Sequence, residues 1–144
     1  STPKPSSAAS DVYKRQDNAL ELARFLQGLG GDIEVNYPGL EESTYHEIAE
    51  KQFRNGYGAI VTVRTGSKEK AFSIINSLKI PLIISNIGDT KTLVIHPEST
   101  IAAHISDEEK LQSGVFEDLI RISVGIEDIE DLKEDFKQAI ENNR

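Results

Sequence analysis

The residues best placed to do chemistry are few. Histidines stand at His46, His96 and His104, and no two share the i, i+4 spacing that sets metal ligands on one helix face. His96 opens the polar run His96-Pro97-Glu98-Ser99-Thr100. A Ser/His/Glu set could be imagined there, but nucleophilic catalysis needs hydrogen-bonded geometry that adjacency in sequence does not supply. Gly28, Gly30 and Gly31 lack the spacing and the preceding strand of a dinucleotide-binding turn, and read as a helix stop. Two places stand out. Ser85-Asn86-Ile87-Gly88-Asp89 follows an apolar run, where a loop either offers short polar side chains and backbone donors to a ligand or simply turns. Arg121 is the one charge inside Leu119-Ile120-Arg121-Ile122-Ser123-Val124. Period-2 alternation puts Ile120, Ile122 and Val124 on the core face and Arg121 on the other. An arginine so placed is a solvated surface residue or a two-pronged anchor for a carboxylate or phosphate, and the pattern alone leaves both open.

Composition narrows the field further. The chain has 144 residues, 16 basic and 24 acidic side chains, and a net charge of −8. That length fits one domain that builds a core without staples. The excess acid lies in the second half: residues 73–144 carry 7 basic and 14 acidic side chains, a net charge of −7. Such a balance argues against binding a phosphate backbone, which takes clustered Lys and Arg, and reads as a solvated acidic face. The absence of cysteine excludes disulfides, thiolate catalysis and zinc-thiolate sites, and suits a reducing cytoplasm. No apolar run approaches the roughly 20 residues needed to span a bilayer.

The elements that must position these residues follow from periodicity. Residues 1–16 are rich in Pro, Ser and Ala at their start and have no apolar period; they are expected to be a disordered, non-native leader. From Asp17 the spacing of Leu20, Leu22, Ala23, Phe25, Leu26 and Leu29 predicts a helix. Ile33, Val35 and Tyr37 predict a strand, and Pro38-Gly39 a turn. Thr44 with Glu47 forms a capping box opening a helix to about Arg54. Residues 57–64 predict a strand, and Ser67 to Leu78 a helix. Ile80 to Ile84 predicts a short buried strand and Thr92 to Ile95 another. Ser106 with Glu109 is a second capping box, Leu119 to Val124 a last strand, and Ile129 to Ile140 a last amphipathic helix. The fold expected is α/β: a two-layer sandwich with a small mixed or antiparallel sheet of four to five strands and helices packed on one face.

Three segments then carry a resemblance. Asn36-Tyr37-Pro38-Gly39-Leu40, the run from Asn86-Ile87-Gly88-Asp89 through Thr90-Lys91-Thr92-Leu93-Val94-Ile95 to His96-Pro97, and the run from Asp118 to Asp128 around Arg121 resemble the C-terminal domain of the Cys/Met-metabolism enzymes that depend on pyridoxal phosphate. The likeness covers about residues 17–142. The family includes O-acetylhomoserine sulfhydrylases, cystathionine synthases and lyases, and methionine γ-lyases, and the Asn-x-Gly-Asp loop is most similar to the first of these.

The resemblance implies roles. Arg121 would grip the α-carboxylate of an amino-acid substrate, and Asn86 would help to hold it. No residue of this chain would be catalytic, bind the cofactor or ligate a metal. The lysine that binds pyridoxal phosphate, and the phosphate cup, would lie on a larger domain upstream, and sites would form between subunits of a homotetramer. On this reading residues 17–144 are the substrate-carboxylate domain of a cytoplasmic sulfhydrylase in methionine synthesis. The same domain of a methionine γ-lyase or a cystathionine synthase or lyase is the alternative. A non-catalytic interaction domain is an alternative of another class.

Overall fold

A computed structural model describes residues 3–40, 58–81, 83, 90–100 and 102–144, with only the backbone for residues 3–10. Helix α1 runs Pro3–Leu29 and strand β1 Glu34–Asn36; strand β2 runs Ile60–Arg64 and helix α2 Lys68–Ser77. Strand β3 (Leu93–Ile95) leads into a 3-10 turn at Pro97–Ser99; helix α3 (Asp107–Gln112), strand β4 (Leu119–Ser123) and helix α4 (Ile129–Glu141) follow. The helix expected between Thr44 and Arg54 lies outside the described residues.

The four described strands form one antiparallel sheet in the order β1-β2-β4-β3. Period-2 alternation divides it cleanly. Val61, Val63, Val94, Ile120 and Ile122 point to one face, where they join Leu22 and Leu26 of α1, Ile74 and Ile75 of α2, and Leu132, Phe136 and Ile140 of α4 in the core. Helices α1, α2 and α4 thus cover one face, as the alternation predicted. Caps fix their starts: Ser67 accepts from the Lys70 amide, and Asp128 from the Glu130 and Asp131 amides. At α3, Ser106 Oγ accepts from the Glu109 amide at 3.1 Å, the serine half of the expected capping box.

Two local expectations differ from the structure. The segment upstream of Asp17 is continuous with the helix after it, from Pro3 onward. Proline is tolerated in a first helical turn, and a helix nucleated on buried Leu22 and Leu26 extends readily through Ser7-Ala8-Ala9. Its described upstream part stays wet, with Val12 and Tyr13 exposed. Second, Ile80, Pro81 and Ile83 are not in a strand, and Ile83 is 60% exposed. The amides of Lys79 and Ile80 are spent on the buried Asp135 carboxylate of α4, at 2.8–3.1 Å, and Pro81 has no amide to give.

Candidate carboxylate site

Arg121 sits at the middle of β4, on the face turned away from the helices, half-buried. Its Cα partners are Thr62 on β2 and Ile95 on β3. Among the described residues no carboxylate pairs with it. The next strand continues the row: Thr62 lies opposite Asn36, and its hydroxyl donates weakly to the Asn36 carbonyl at 3.4 Å. An open cleft of about 290 Å³, lined by Asn36, Pro38, Gly58, Ala59, Ile60 and Thr62, lies beside this row. A guanidinium on a half-dry sheet surface, with no acid to neutralise it, has its paired donors free for an anion of matching shape.

The strand that carries Arg121 is fastened at both ends. At its start, Asp118 accepts from Arg64 Nε at 3.1 Å and from the Gly66 amide at 3.0 Å, while its carbonyl takes the Thr65 amide and hydroxyl, both at 3.0 Å. At its end, Gly125 passes so close to residues 90–91 that a Cβ would collide with the Thr90 carbonyl. Only glycine permits that approach. The Glu127 carboxylate then accepts from the Thr92 amide at 2.8 Å and from its hydroxyl at 2.7 Å. These partners are 34 residues apart or more, and sequence reading missed them. The one local signal was the Val-Gly-x-Glu sequence ending the strand.

Asn86 lies outside the described residues, as does His46. His96 is buried and serves the fold. Its Nε2 donates to the Glu117 carbonyl at 2.6 Å, its Nδ1 lies 2.8 Å from Ser99 Oγ, and its ring packs on Phe72 with centroids 4.5 Å apart. Glu98 takes no part in it: it pairs with Lys110 at 3.2 Å and Lys68 at 3.3 Å. The Ser/His/Glu run is therefore a turn cap and an ion-pair cluster. The hydrogen bond from Lys110 holds the Glu98 carboxyl below its usual range, and that from Lys70 does the same for Asp32.

Lys68, Lys70, Lys110 and Lys133 each pair with a carboxylate. Among the described residues no group of His, Cys, Asp and Glu could hold a metal ion, and no helix is long and apolar enough to cross a membrane.

The chain is similar to known proteins along most of its length. Residues 10–141 match the family of Cys/Met-metabolism enzymes dependent on pyridoxal phosphate. The O-acetyl-L-homoserine sulfhydrylase 1 of Thermus thermophilus is 42% identical over 125 residues, covering 86% of this chain and 30% of the relative. A Campylobacter jejuni protein described as an O-acetylhomoserine (thiol)-lyase, whose structure contains a pyridoxyl-lysine phosphate, superposes with a TM-score of 0.86 at 36% identity, over 92% of this chain and 32% of its own. Cystathionine γ-lyase from yeast matches with a TM-score of 0.86 at 34% identity, over 91% and 34%. The chain thus spans about a third of the length of the proteins it matches.

Proposed function

The chain belongs to the Cys/Met-metabolism family of pyridoxal-phosphate-dependent enzymes, and from that membership we propose that residues 17–144 are the substrate-carboxylate domain of a larger enzyme. The enzyme acts as an O-acetylhomoserine sulfhydrylase, replacing the acyl group of an O-acylated homoserine with sulfide or methanethiol. The identity to the Thermus thermophilus sulfhydrylase supports this choice. The cofactor belongs to the part of the enzyme beyond this chain, in keeping with the chain's span of about a third of its relatives' length. Arg121 holds the substrate α-carboxylate and Asn86 assists. The protein assembles as a homotetramer in the cytoplasm.

One observation carries the reading: Arg121 is a half-buried cation, mid-strand on the face opposite the helices, with no acid partner among the described residues. On the same face Arg64 is paired with Asp118. The decisive experiment replaces Arg121 in the full-length enzyme. Arg121→Lys keeps the charge but loses the fork, so amino-acid substrate binding should weaken while cofactor absorbance stays intact. Unchanged substrate binding would refute the assignment.

A second reading has its own support, since yeast cystathionine γ-lyase matches the fold equally well. A lyase would use the same carboxylate anchor and eliminate where the sulfhydrylase replaces. Product analysis with and without sulfide separates the two: release of a 2-oxo acid without sulfide marks the lyase, homocysteine the sulfhydrylase.

A further inference from the structure

We propose that Thr92 and Glu127 are positioning residues for Arg121, an inference that rests on the carboxylate reading of that arginine. Strand β3 is three residues long and lies at the edge of the described sheet. A strand so short specifies its register weakly by itself, and a slip of one residue exchanges its two faces. In register, Ile95 lies opposite Arg121 and walls its side of the sheet. A slip would bring another residue there and change the shape and dryness of the arginine's surroundings.

What holds the register lies just outside the strands. Thr92, fully buried, immediately precedes β3. Its hydroxyl donates to Glu127 at 2.7 Å and accepts from the Gly125 amide at 2.9 Å, while its own amide donates to the second Glu127 oxygen at 2.8 Å. The Ile126 amide donates to the Thr90 carbonyl at 2.8 Å. Asn18 of α1 closes the knot, its side-chain amide donating to the carbonyls of Gly125 at 3.0 Å and Glu127 at 2.8 Å. Every one of these bonds joins the approach to β3 with the exit from β4, or ties that exit to α1. The geometry needs a carboxylate, which accepts two donors at once, and a hydroxyl, which donates and accepts at once. The Glu127 carboxylate is fully engaged by Thr92, so its part is to fix the frame in which Arg121 meets a carboxylate. Grips of this kind lose affinity steeply with displacements of about 1 Å.

The test uses a full-length pyridoxal-phosphate enzyme carrying this segment, with Thr92→Val, Thr92→Ser, Glu127→Gln and Arg121→Lys measured side by side. Thr92→Val and Glu127→Gln each strand a buried donor. They should raise KM for the amino-acid substrate about tenfold and leave kcat and KM for the sulfur donor within about twofold. Thr92→Ser keeps the hydroxyl and should restore the unmutated KM. In parallel, hydrogen exchange on the 144-residue chain should show the amides of residues 92–95 opening faster in Thr92→Val and not in Thr92→Ser. Faster exchange with unchanged KM overturns the proposal, and so does a loss shared equally by both substrates, which marks general damage. If Thr92→Val does not fold, Glu127→Gln and Thr92→Ser decide on the same criteria. Arg121→Lys keeps the two failures apart. If it alone raises KM, only the positioning role falls; if it too leaves KM unchanged, the carboxylate reading itself falls.

Discussion

Two arginines share the sheet face opposite the helices, on adjacent strands. Arg64 ends β2 and Arg121 lies mid-way along β4, and their Cα partners are Leu119 and Thr62. The fold treats them differently. Arg64 is neutralised, with Nε 3.1 Å from the buried Asp118 carboxylate and its guanidinium 3.9 Å above the Phe116 ring. The cleft around it continues the pattern, since Glu98 there pairs with Lys110 and Lys68. Arg121 has a threonine on one side and an isoleucine on the other. A cation surrounded by its own acids and an aromatic ring holds a fold together. A cation left on a half-dry surface without an acid costs solvation that nothing described in the structure returns, and an anionic ligand would return it.

The largest effect should come from removing each arginine in turn from the full-length enzyme. Truncating one partner of a desolvated charged contact costs about 2–5 kcal/mol of binding, so Arg121→Ala should lower kcat/KM by about two to three powers of ten. Arg64→Ala should leave it within about threefold, since its guanidinium is already occupied. Equal losses in the two variants would erase the distinction.

The comparison can also be sharpened by turning one arginine into the other. Thr62→Asp places an acid directly across from Arg121, where cross-strand pairs contribute about 0.2–1 kcal/mol. The variant should unfold at the same denaturant concentration or slightly higher. Its substrate KM should rise about tenfold or more, because a carboxylate built into the sheet competes with the one on the substrate. A rise in stability without any loss of substrate affinity would mean that the ligand contacts another group.

What the sequence made legible is the half of this contrast that rests on alternation. Period 2 assigned the face of Arg121 from six residues, and the same rule assigns Arg64. The acid that silences Arg64 is 54 residues away, beyond any local pattern, and so is Thr92 from Glu127, at 35. Ile80, Pro81 and Ile83 departed from the strand expected there for a related reason: a remote carboxylate, Asp135, took the Lys79 and Ile80 amides. Gly125 was legible only as a letter in a motif. Its requirement is a close approach of two chain segments, which no single segment announces. The described helices were read well because their apolar stripes are local, except where α1 extends to Pro3.

A smaller effect concerns stability. Arg64→Ala leaves the buried Asp118 carboxylate with the Gly66 amide as its remaining donor and uncovers Phe116. Breaking a fully buried ion pair costs about 3–5 kcal/mol, but the Arg64 side chain is 40% exposed, so about 1–2 kcal/mol is expected. Arg121→Ala should cost the fold no more than about 0.5 kcal/mol. Urea unfolding of the 144-residue chain checks both values, and a larger loss for Arg121→Ala than for Arg64→Ala would reverse the roles assigned to them.

The smallest expected effect tests the matched cluster by pH. The Glu98 carboxyl titrates below its usual 4.5, first because Lys110 hydrogen-bonds it and then because Lys68 does. A carboxyl lowered in the folded state binds fewer protons there than in the unfolded chain, so stability rises with pH across the interval between its two titrations. The contribution of Glu98 is therefore complete well above pH 4.5 and is lost as pH falls below 4.5 through the folded-state value. Its size is limited to about 1 kcal/mol, because Lys68 is 41% exposed and water screens that arm. Glu98→Gln removes the titrating group while keeping much of its shape. Subtracting the variant's stability from that of the unmutated chain between pH 7 and pH 3 should give a difference that is flat at first and shrinks below pH 4.5. The same subtraction for Arg121→Ala should show no acid limb of its own, because no described carboxylate depends on that arginine. An acid limb there would reveal a carboxylate paired with Arg121, and the two arginines would no longer differ in kind.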